Sequence, residues 1–263
     1  MLCRREDRPL ISVIDEMLRC RPASQTDISA EPAARLHRVK GVAMNPSDAT
    51  RPPKGDEVES EVRLPPLGLA GTLRIPNDAR GLVAFAHGSG SSRLSPRNSA
   101  VASALHQRRF ATLLFDLLTP EEEADRANVF DIPLLADRLV GAVNWLDQVT
   151  VNTRLAIGLF GASTGAAAAL VAAAQLPHRI AAVVSRGGRP DLAGAALEKI
   201  RAPTLLIVGG SDHGVIELNQ QALARIGGQS QLVIIPGASH LFPEPGAMEA
   251  VIDHAAGWFE QHL

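Results

Sequence analysis

Gly161-Ala162-Ser163-Thr164-Gly165 sets one hydroxyl between two glycines, and the residues that follow, "AAAALVAAA", are mostly the smallest apolar side chain available. The pattern G-x-S-x-G serves nucleophilic catalysis when it joins a strand to a helix. A sharp, strained turn lifts the serine Oγ away from the backbone, and small neighbours let strand and helix close on it. The helix N-terminus then favours negative charge developing beside it. The same five residues have a purely structural reading, an N-capping serine in a glycine-rich turn.

A serine hydroxyl is a weak nucleophile, so it needs a base, and the base needs a carboxylate that fixes its tautomer and steadies the imidazolium. "LLIVGGSDHGV" sets Asp212 just after a late apolar run, and "VIIPGASHLF" sets His240 just after the next. Serine, acid and histidine therefore follow one another in an order known among serine hydrolases, each directly after a predicted strand. His213 competes as base, but its side chain would point away from that of its neighbour Asp212 and it precedes the last strand. Asp212 also reads as an N-cap for a helix from about 214, and His240 as an ordinary loop histidine. Acyl transfer further requires donors for the tetrahedral oxyanion. The backbone N–H of Thr164 is one, and "HGSGSS" (87–92) should supply the other, Ser89 first and Gly90 second. His87 reads as a residue that holds this loop.

The elements that must bring these groups together are legible from hydrophobic texture. Residues 58–64 ("VESEVRL") and 69–75 ("LAGTLRI"), separated by Pro65, Pro66 and Gly68, read as a hairpin. Apolar runs at 81–87, 110–116, 154–161, 180–186, 203–210 and 231–237 read as strands buried on both faces. Helical stretches are predicted at about 95–108, 132–149, 164–176, 214–226 and 245–261. Strands alternating with helices predict a doubly wound, mostly parallel sheet with right-handed crossovers, and ligands beyond the carboxyl ends of its strands. The acidic stretch 119–131 ("TPEEEADRANVFD") breaks the rhythm and reads as a surface loop, with a mobile cover over the pocket as the alternative.

Composition sets outer limits. The 263 residues carry a net charge of −2, which gives no reason to expect nucleic acid or an anionic membrane as partner. Cys3 and Cys20 are the two cysteines, both outside the expected fold, so a disulfide framework is not indicated and a reducing compartment is the simpler reading. The N-terminus lacks the apolar core of a signal peptide, and the longest small-apolar run, 165–174, is too short to span a membrane. The expectation is a cytoplasmic, soluble protein. Residues 1–55 mix charges and prolines without a period, predicting a disordered tail or a misplaced translation start with Met44 as the real one, the alternative being a short helix at 9–19. Residues 56–263 then form a single domain.

Taken together, "FAHGSGSSRLSPRN", "GLFGASTGAAAAL", "VVSRGGRPDLA", "TLLIVGGSDHGV" and "IPGASHLF" resemble the dienelactone-hydrolase-like branch of the α/β-hydrolase superfamily, over about residues 57–263. The resemblance implies the α/β-hydrolase fold, about eight strands with helices on both faces, and a hydrolase of carboxylic esters or lactones that needs no cofactor or metal and takes a small-molecule ester. True dienelactone hydrolases use a cysteine nucleophile where this chain has Ser163. Some members of the branch are joined to a phosphoribosyltransferase domain, for which a 55-residue tail is too short. Oligomeric state is not implied.

Arg186 and Arg189, in "SRGGRPD" after a predicted strand, could bind a substrate carboxylate; the structural alternative is an ion pair with Asp191 or a helix end. Arg93 has a weaker case, and Asp116 reads as a loop-fixing cap. Other enzyme classes fit poorly. The spacing of Gly158, Gly161 and Gly165 falls after several strands, whereas a dinucleotide fingerprint belongs to the first strand–helix–strand unit, and the chain contains no tyrosine for short-chain dehydrogenase chemistry. No H-E-x-x-H, paired-cysteine or P-loop pattern is present. The remaining alternatives are a non-catalytic binding or interaction protein on the same fold, or a thioesterase, acyltransferase or peptidase using the same three residues.

Overall fold

The computed structural model describes residues 57–150 and 155–263. The expectations for residues 1–55 lie outside the described residues. Eight strands form one sheet: β1 (Glu57–Leu64), β2 (Leu69–Pro76), β3 (Gly81–Ala86), β4 (Phe110–Phe115), β5 (Ile157–Ala162), β6 (Ile180–Arg186), β7 (Thr204–Gly209) and β8 (Ser230–Ile235). Their spatial order is β1-β2-β4-β3-β5-β6-β7-β8. The β1–β2 and β2–β4 pairs are antiparallel and all others parallel. This is the expected α/β-hydrolase architecture.

Burial follows from topology. β3, β4, β5 and β7 are buried along their whole length, because helices cover both faces of a parallel sheet. β2 alternates buried and half-buried residues, as a strand near the edge should. β8 departs from expectation: its apolar run reads like a doubly covered strand, yet it closes the sheet with a single neighbour, and Ile234 is 41% exposed.

Alternate residues of the strands feed two cores. Leu82, Ala84, Leu113, Leu159 and Val183 face α4 (Ile132–Val149) and α5 (Thr164–Gln175). Val83, Phe85, Phe160, Val184 and Ile207 face α1 (Pro96–Gln107) and α7 (Ala247–His262). The remaining long helix is α6 (His213–Leu223), and a 3₁₀ segment runs over Pro190–Lys199. The 3₁₀ segment has no counterpart in the hydrophobic periodicity; it begins at Pro190 and is kinked at Gly194, φ 55°.

The acidic stretch 119–131 is not a loop throughout. It folds into two single turns, α2 (Pro120–Glu123) and α3 (Arg126–Val129). Thr119 and Glu122 form a reciprocal capping box with Pro120 at the first helical position, and Asp125 caps α3 by accepting the Ala127 N–H. T-x-x-E is the sequence signature of that device, so this helix was readable from local chemistry that hydrophobic periodicity ignores. Arg138 on α4 reaches Glu122 at 2.6 Å and ties the pair of turns to the body of the domain.

The helix α7 meets the sheet where β5 has no side chain. A Cβ on Gly158 would lie 2.6 Å from Phe259 Cε1 and 2.9 Å from Cδ1. Phe259 is fully buried against this glycine. Replacing Phe259 by Ala should cost about 3–5 kcal/mol, read as a lower midpoint in urea unfolding with the slope unchanged.

Candidate active site

Ser163 occupies the N-cap position of α5 but does not cap it. Its φ and ψ are 52° and −121°, and its side chain makes no capping hydrogen bond. Such a backbone costs on the order of 1–3 kcal/mol and persists only where the surroundings over-determine it. Here they do. The Ser163 N–H donates to the Arg186 carbonyl at 3.2 Å, and the Ser163 carbonyl accepts from Ala166 N–H (3.1 Å) and Arg189 N–H (3.2 Å). The glycines on either side answer to contact. A Cβ on Gly161 would sit 2.6 Å from the Gly165 carbonyl and 2.8 Å from the Ala166 nitrogen, and a Cβ on Gly165 would overlap the carbonyl oxygens of Ala86 and His87. The structural reading of this motif, a serine capping its helix, is therefore not what the backbone does.

Asp212 likewise stands at the N-cap of α6 without capping it. Its Oδ2 accepts instead from His240 Nδ1–H at 2.6 Å. That bond leaves His240 Nε2 as the basic nitrogen. The side chain of Asp212 is 18% exposed and that of His240 is 38% exposed, so the pair lies at the surface of the domain with the carboxylate beneath. His213 is exposed at the first position of α6. The His240 loop is braced by Glu244, whose Oε1 accepts the Ser239 N–H at 3.0 Å; that bond holds the Glu244 carboxyl below its usual range. Sequence reading passed over Glu244, since nothing in a lone glutamate four residues after a histidine marks it.

The loop after β6 joins these two parts. Arg186 receives the Ser163 N–H, and the next residue, Gly187, is so close to His240 that a Cβ there would be 3.0 Å from the His240 carbonyl and 3.6 Å from its Cε1. Serine and histidine thus flank one short segment. No hydrogen bond from Ser163 Oγ occurs among the described residues; bonds between nucleophile and base commonly tighten only in the substrate complex.

The donors expected for an oxyanion behave differently from one another. The Ser89 N–H is not open: it donates to Thr164 Oγ1 at 2.9 Å and so stitches the β3 loop to the start of α5. The backbone N–H groups of Thr164 and Gly90 make no hydrogen bond among the described residues. Gly88 is packed on Ser163, its hypothetical Cβ 2.9 Å from Ser163 Cβ. These residues form one wall of a cavity of about 100 Å³. Its far wall is mostly apolar, with Leu117 and Leu118 after β4, Pro120 and Val129 from the two short helices and Leu135 from α4, and it also carries Asp116 and Glu123.

Arg186 is 6% exposed, its Nε meets no partner, and its guanidinium makes no ion pair among the described residues. The guanidinium carbon lies 6.0 Å from the centre of the Phe242 ring. Burial, and then the nearby charge of Arg97, lower its pKa to about 10, so it remains a cation at neutral pH. Arg97 and Phe242 lie within the stretches "FAHGSGSSRLSPRN" and "IPGASHLF", but nothing in either stretch singled them out as partners of Arg186. The other arginines considered have partners. Arg189 holds Asp191 through two hydrogen bonds, at 2.9 and 2.8 Å, and Asp116 accepts from Arg93 through both backbone (2.8 Å) and guanidinium (3.0 Å). Among the described residues no cluster of potential metal ligands occurs, and no helix is long and apolar enough to cross a membrane.

Comparison with known proteins agrees with this architecture. The model of the dienelactone hydrolase family matches residues 100–261. A dienelactone hydrolase from Anabaena variabilis, solved crystallographically, is 56% identical with a TM-score of 0.75 over 79% of this chain and 98% of that one. Est1E from Butyrivibrio proteoclasticus (16% identical, TM-score 0.63, 79% and 98% covered) and carboxyl esterase 2 from Tuber melanosporum (17%, 0.63, 80% and 89%) share the fold. Two curated proteins of Mycobacterium tuberculosis strains, provisionally named phosphoribosyl transferases, are 56% identical over 229 residues. The chain spans about half the length of these relatives, 52%, while 87% of it is covered.

His87 ties the loop after β3 to the segment after β4. Its Nε2 accepts the Leu117 N–H at 3.1 Å, so Nδ1 carries the proton and donates to the Gly88 carbonyl, also at 3.1 Å. Burial lowers its pKa below 6.5. A protonated ring would set N–H against N–H at Leu117. In the window between the lowered folded value and 6.5, the unfolded chain binds more protons than the folded one, so stability is present above pH 6.5 and is lost as pH falls. Unfolding midpoints measured from pH 7.5 down to 5 should decline, and His87→Gln should flatten that slope whatever its effect on stability at pH 7.5.

Proposed function

The chain belongs to the dienelactone hydrolase family, and from that premise we propose that it hydrolyses a carboxylic ester or lactone through an acyl-enzyme on Ser163. The observation that carries the proposal is the 2.6 Å bond between Asp212 and His240 on loops that meet the strained Ser163 turn across Gly187. His240 Nε2 takes the Ser163 proton as Oγ attacks the carbonyl carbon. Asp212 holds Nδ1–H and offsets the imidazolium charge. His240 then gives the proton to the leaving oxygen, and water releases the acyl group by the reverse sequence.

In this reading the Thr164 amide is one oxyanion donor. The β3 loop supplies the second: Ser89 by sharing its N–H between Thr164 Oγ1 and the oxyanion as a three-centre bond, or Gly90 with its unengaged N–H. Losing one such donor typically costs roughly 3 kcal/mol of transition-state stabilisation. Gly90 in either case lines the acyl side of the site. Arg186 lies on the opposite side, by the histidine loop, and would hold an anionic substituent of the substrate if one is carried there. The transferase name of the longer relatives describes proteins of about twice this length; the ester chemistry is assigned to this segment.

Ser163→Ala should lower kcat for ester substrates roughly 10⁶-fold if the three residues act as a unit, and an alkyl fluorophosphonate should label Ser163 in a peptide mass map. Labelling elsewhere would refute the site. No labelling, with ligand binding retained, would favour a binding protein on the same fold. Turnover of acyl-CoA or peptides in preference to simple esters would point to a thioesterase or peptidase instead. Arg186→Met should reduce kcat/KM for an ester bearing a carboxylate at least tenfold more than for its neutral analogue.

A further inference from the structure

The cavity beyond the oxyanion loop has a chemical orientation that the nucleophile and base impose. At the tetrahedral centre four groups radiate from carbon: Ser163 Oγ, the oxyanion, the leaving oxygen and the acyl substituent. The leaving oxygen must face His240, which gives it a proton. The oxyanion faces the amides of Thr164 and the 88–90 loop. The acyl substituent is left to point away from His240, toward the cavity that begins beside Ser163 at Gly88 and Thr164. None of its lining residues comes from the loops that carry Asp212 and His240, whereas Gly88, Ser89, Gly90 and Thr164 all belong to it.

Its dimensions and lining restrict the occupant. The volume of about 100 Å³ is smaller than the roughly 150 Å³ that accepts a benzene ring in a dry protein cavity, so about three or four carbons fill it. Its apolar lining comes from Leu117, Leu118 and Leu135 together with Pro120 and Val129. The last two sit on α2 and α3, which are fixed rather than loose. The capping box, Asn128 Nδ2 donating to the Glu122 carbonyl at 2.9 Å, and Arg138 on Glu122 at 2.6 Å set their height over α4. Of the polar groups at this end, Asp116 is engaged by Arg93 and His87 by Leu117 and Gly88, while Glu123 is exposed at the solvent side of the lining.

We infer that the cavity under the two short helices is the acyl pocket and that it selects small apolar acyl groups, propanoyl to butanoyl, with Leu135 and Val129 as the residues that set its depth. The inference rests on the esterase reading above and adds the substrate class to it.

The test is a series of p-nitrophenyl esters from acetyl to octanoyl, with the alcohol held constant, on the full chain. Burial of each added methylene is worth about fourfold, so kcat/KM should rise about fourfold per carbon from acetyl to butanoyl and fall at least tenfold by octanoyl. Leu135→Ala should move the optimum to hexanoyl; Val129→Phe, on a half-buried turn where folding is less at stake, should move it back to acetyl. A second series, one acyl group with varied alcohols, should be indifferent to both substitutions. Acyl profiles unmoved by both variants, or a shift in the alcohol series instead, would overturn the acyl assignment even though fluorophosphonate labels Ser163. Absence of both labelling and ester turnover would instead overturn the esterase reading, and the pocket assignment with it.

Discussion

The distance between α5 and the ends of β3 and β5 governs the rest of the site. It is set by two glycines. At Gly161 any side chain would run into the backbone of Gly165 and Ala166, and at Gly165 into the carbonyls of Ala86 and His87. With the helix that close, the backbone between them has no room for an ordinary turn, and Ser163 is driven to φ 52°. Alanine-rich α5 follows from the same constraint, because a helix buried on nearly every side and pressed against the sheet leaves no volume for larger residues. The strain at Ser163 is met by two tertiary bonds, to Arg186 and from Arg189 around the end of β6, besides the local bond from Ala166.

The second consequence is electrostatic. Asp212 and His240 stand on two loops, each at the carboxyl end of a parallel strand, β7 and β8. Asp212 and His240 give up their local roles, helix cap and solvated imidazole, for one another. Glu244 and Phe242 hold the histidine loop from outside and inside respectively. Arg186 is the one cation in this region buried without a counter-charge among the described residues, and a buried charge left unpaired is costly.

These facts divide the site between the two faces of the sheet. On the α4–α5 face a mostly apolar cavity continues from the loop after β3 to α2 and α3. On the α1–α7 face the histidine loop, Phe242 and Arg186 form a polar, cationic border. In the proposed reaction an ester carbonyl over Ser163 would be asymmetric in the same sense, with the acyl group on one side and the leaving oxygen on the other. The sheet's switch between β3 and β5, where successive crossovers leave in opposite directions, is what allows two such different walls to meet at one serine.

Much of this was readable from sequence, because the signals are local. Runs of apolar residues reported the buried parallel strands, and the spacing of Ser163, Asp212 and His240 after three of them reported the carboxyl edge, since a strand's end fixes where its loop begins. The T-x-x-E cap of α2 was equally local and could have been read. Other features depended on what lies across the sheet. An apolar run cannot say whether it has one neighbour or two, so β8 at the edge read like a central strand. Ser89 N–H could be named as a donor, but its engagement with Thr164 Oγ1 spans 75 positions in the chain. Whether Arg186 or Arg189 lacked a counter-ion was decided by side-chain direction at the end of β6, and the cavity by the height of α3 over α4. Sequence determined the chemistry each segment carries and where each strand delivers it; only the packed sheet decided which groups stay unpaired, because pairing is a property of neighbours that the chain brings together by folding.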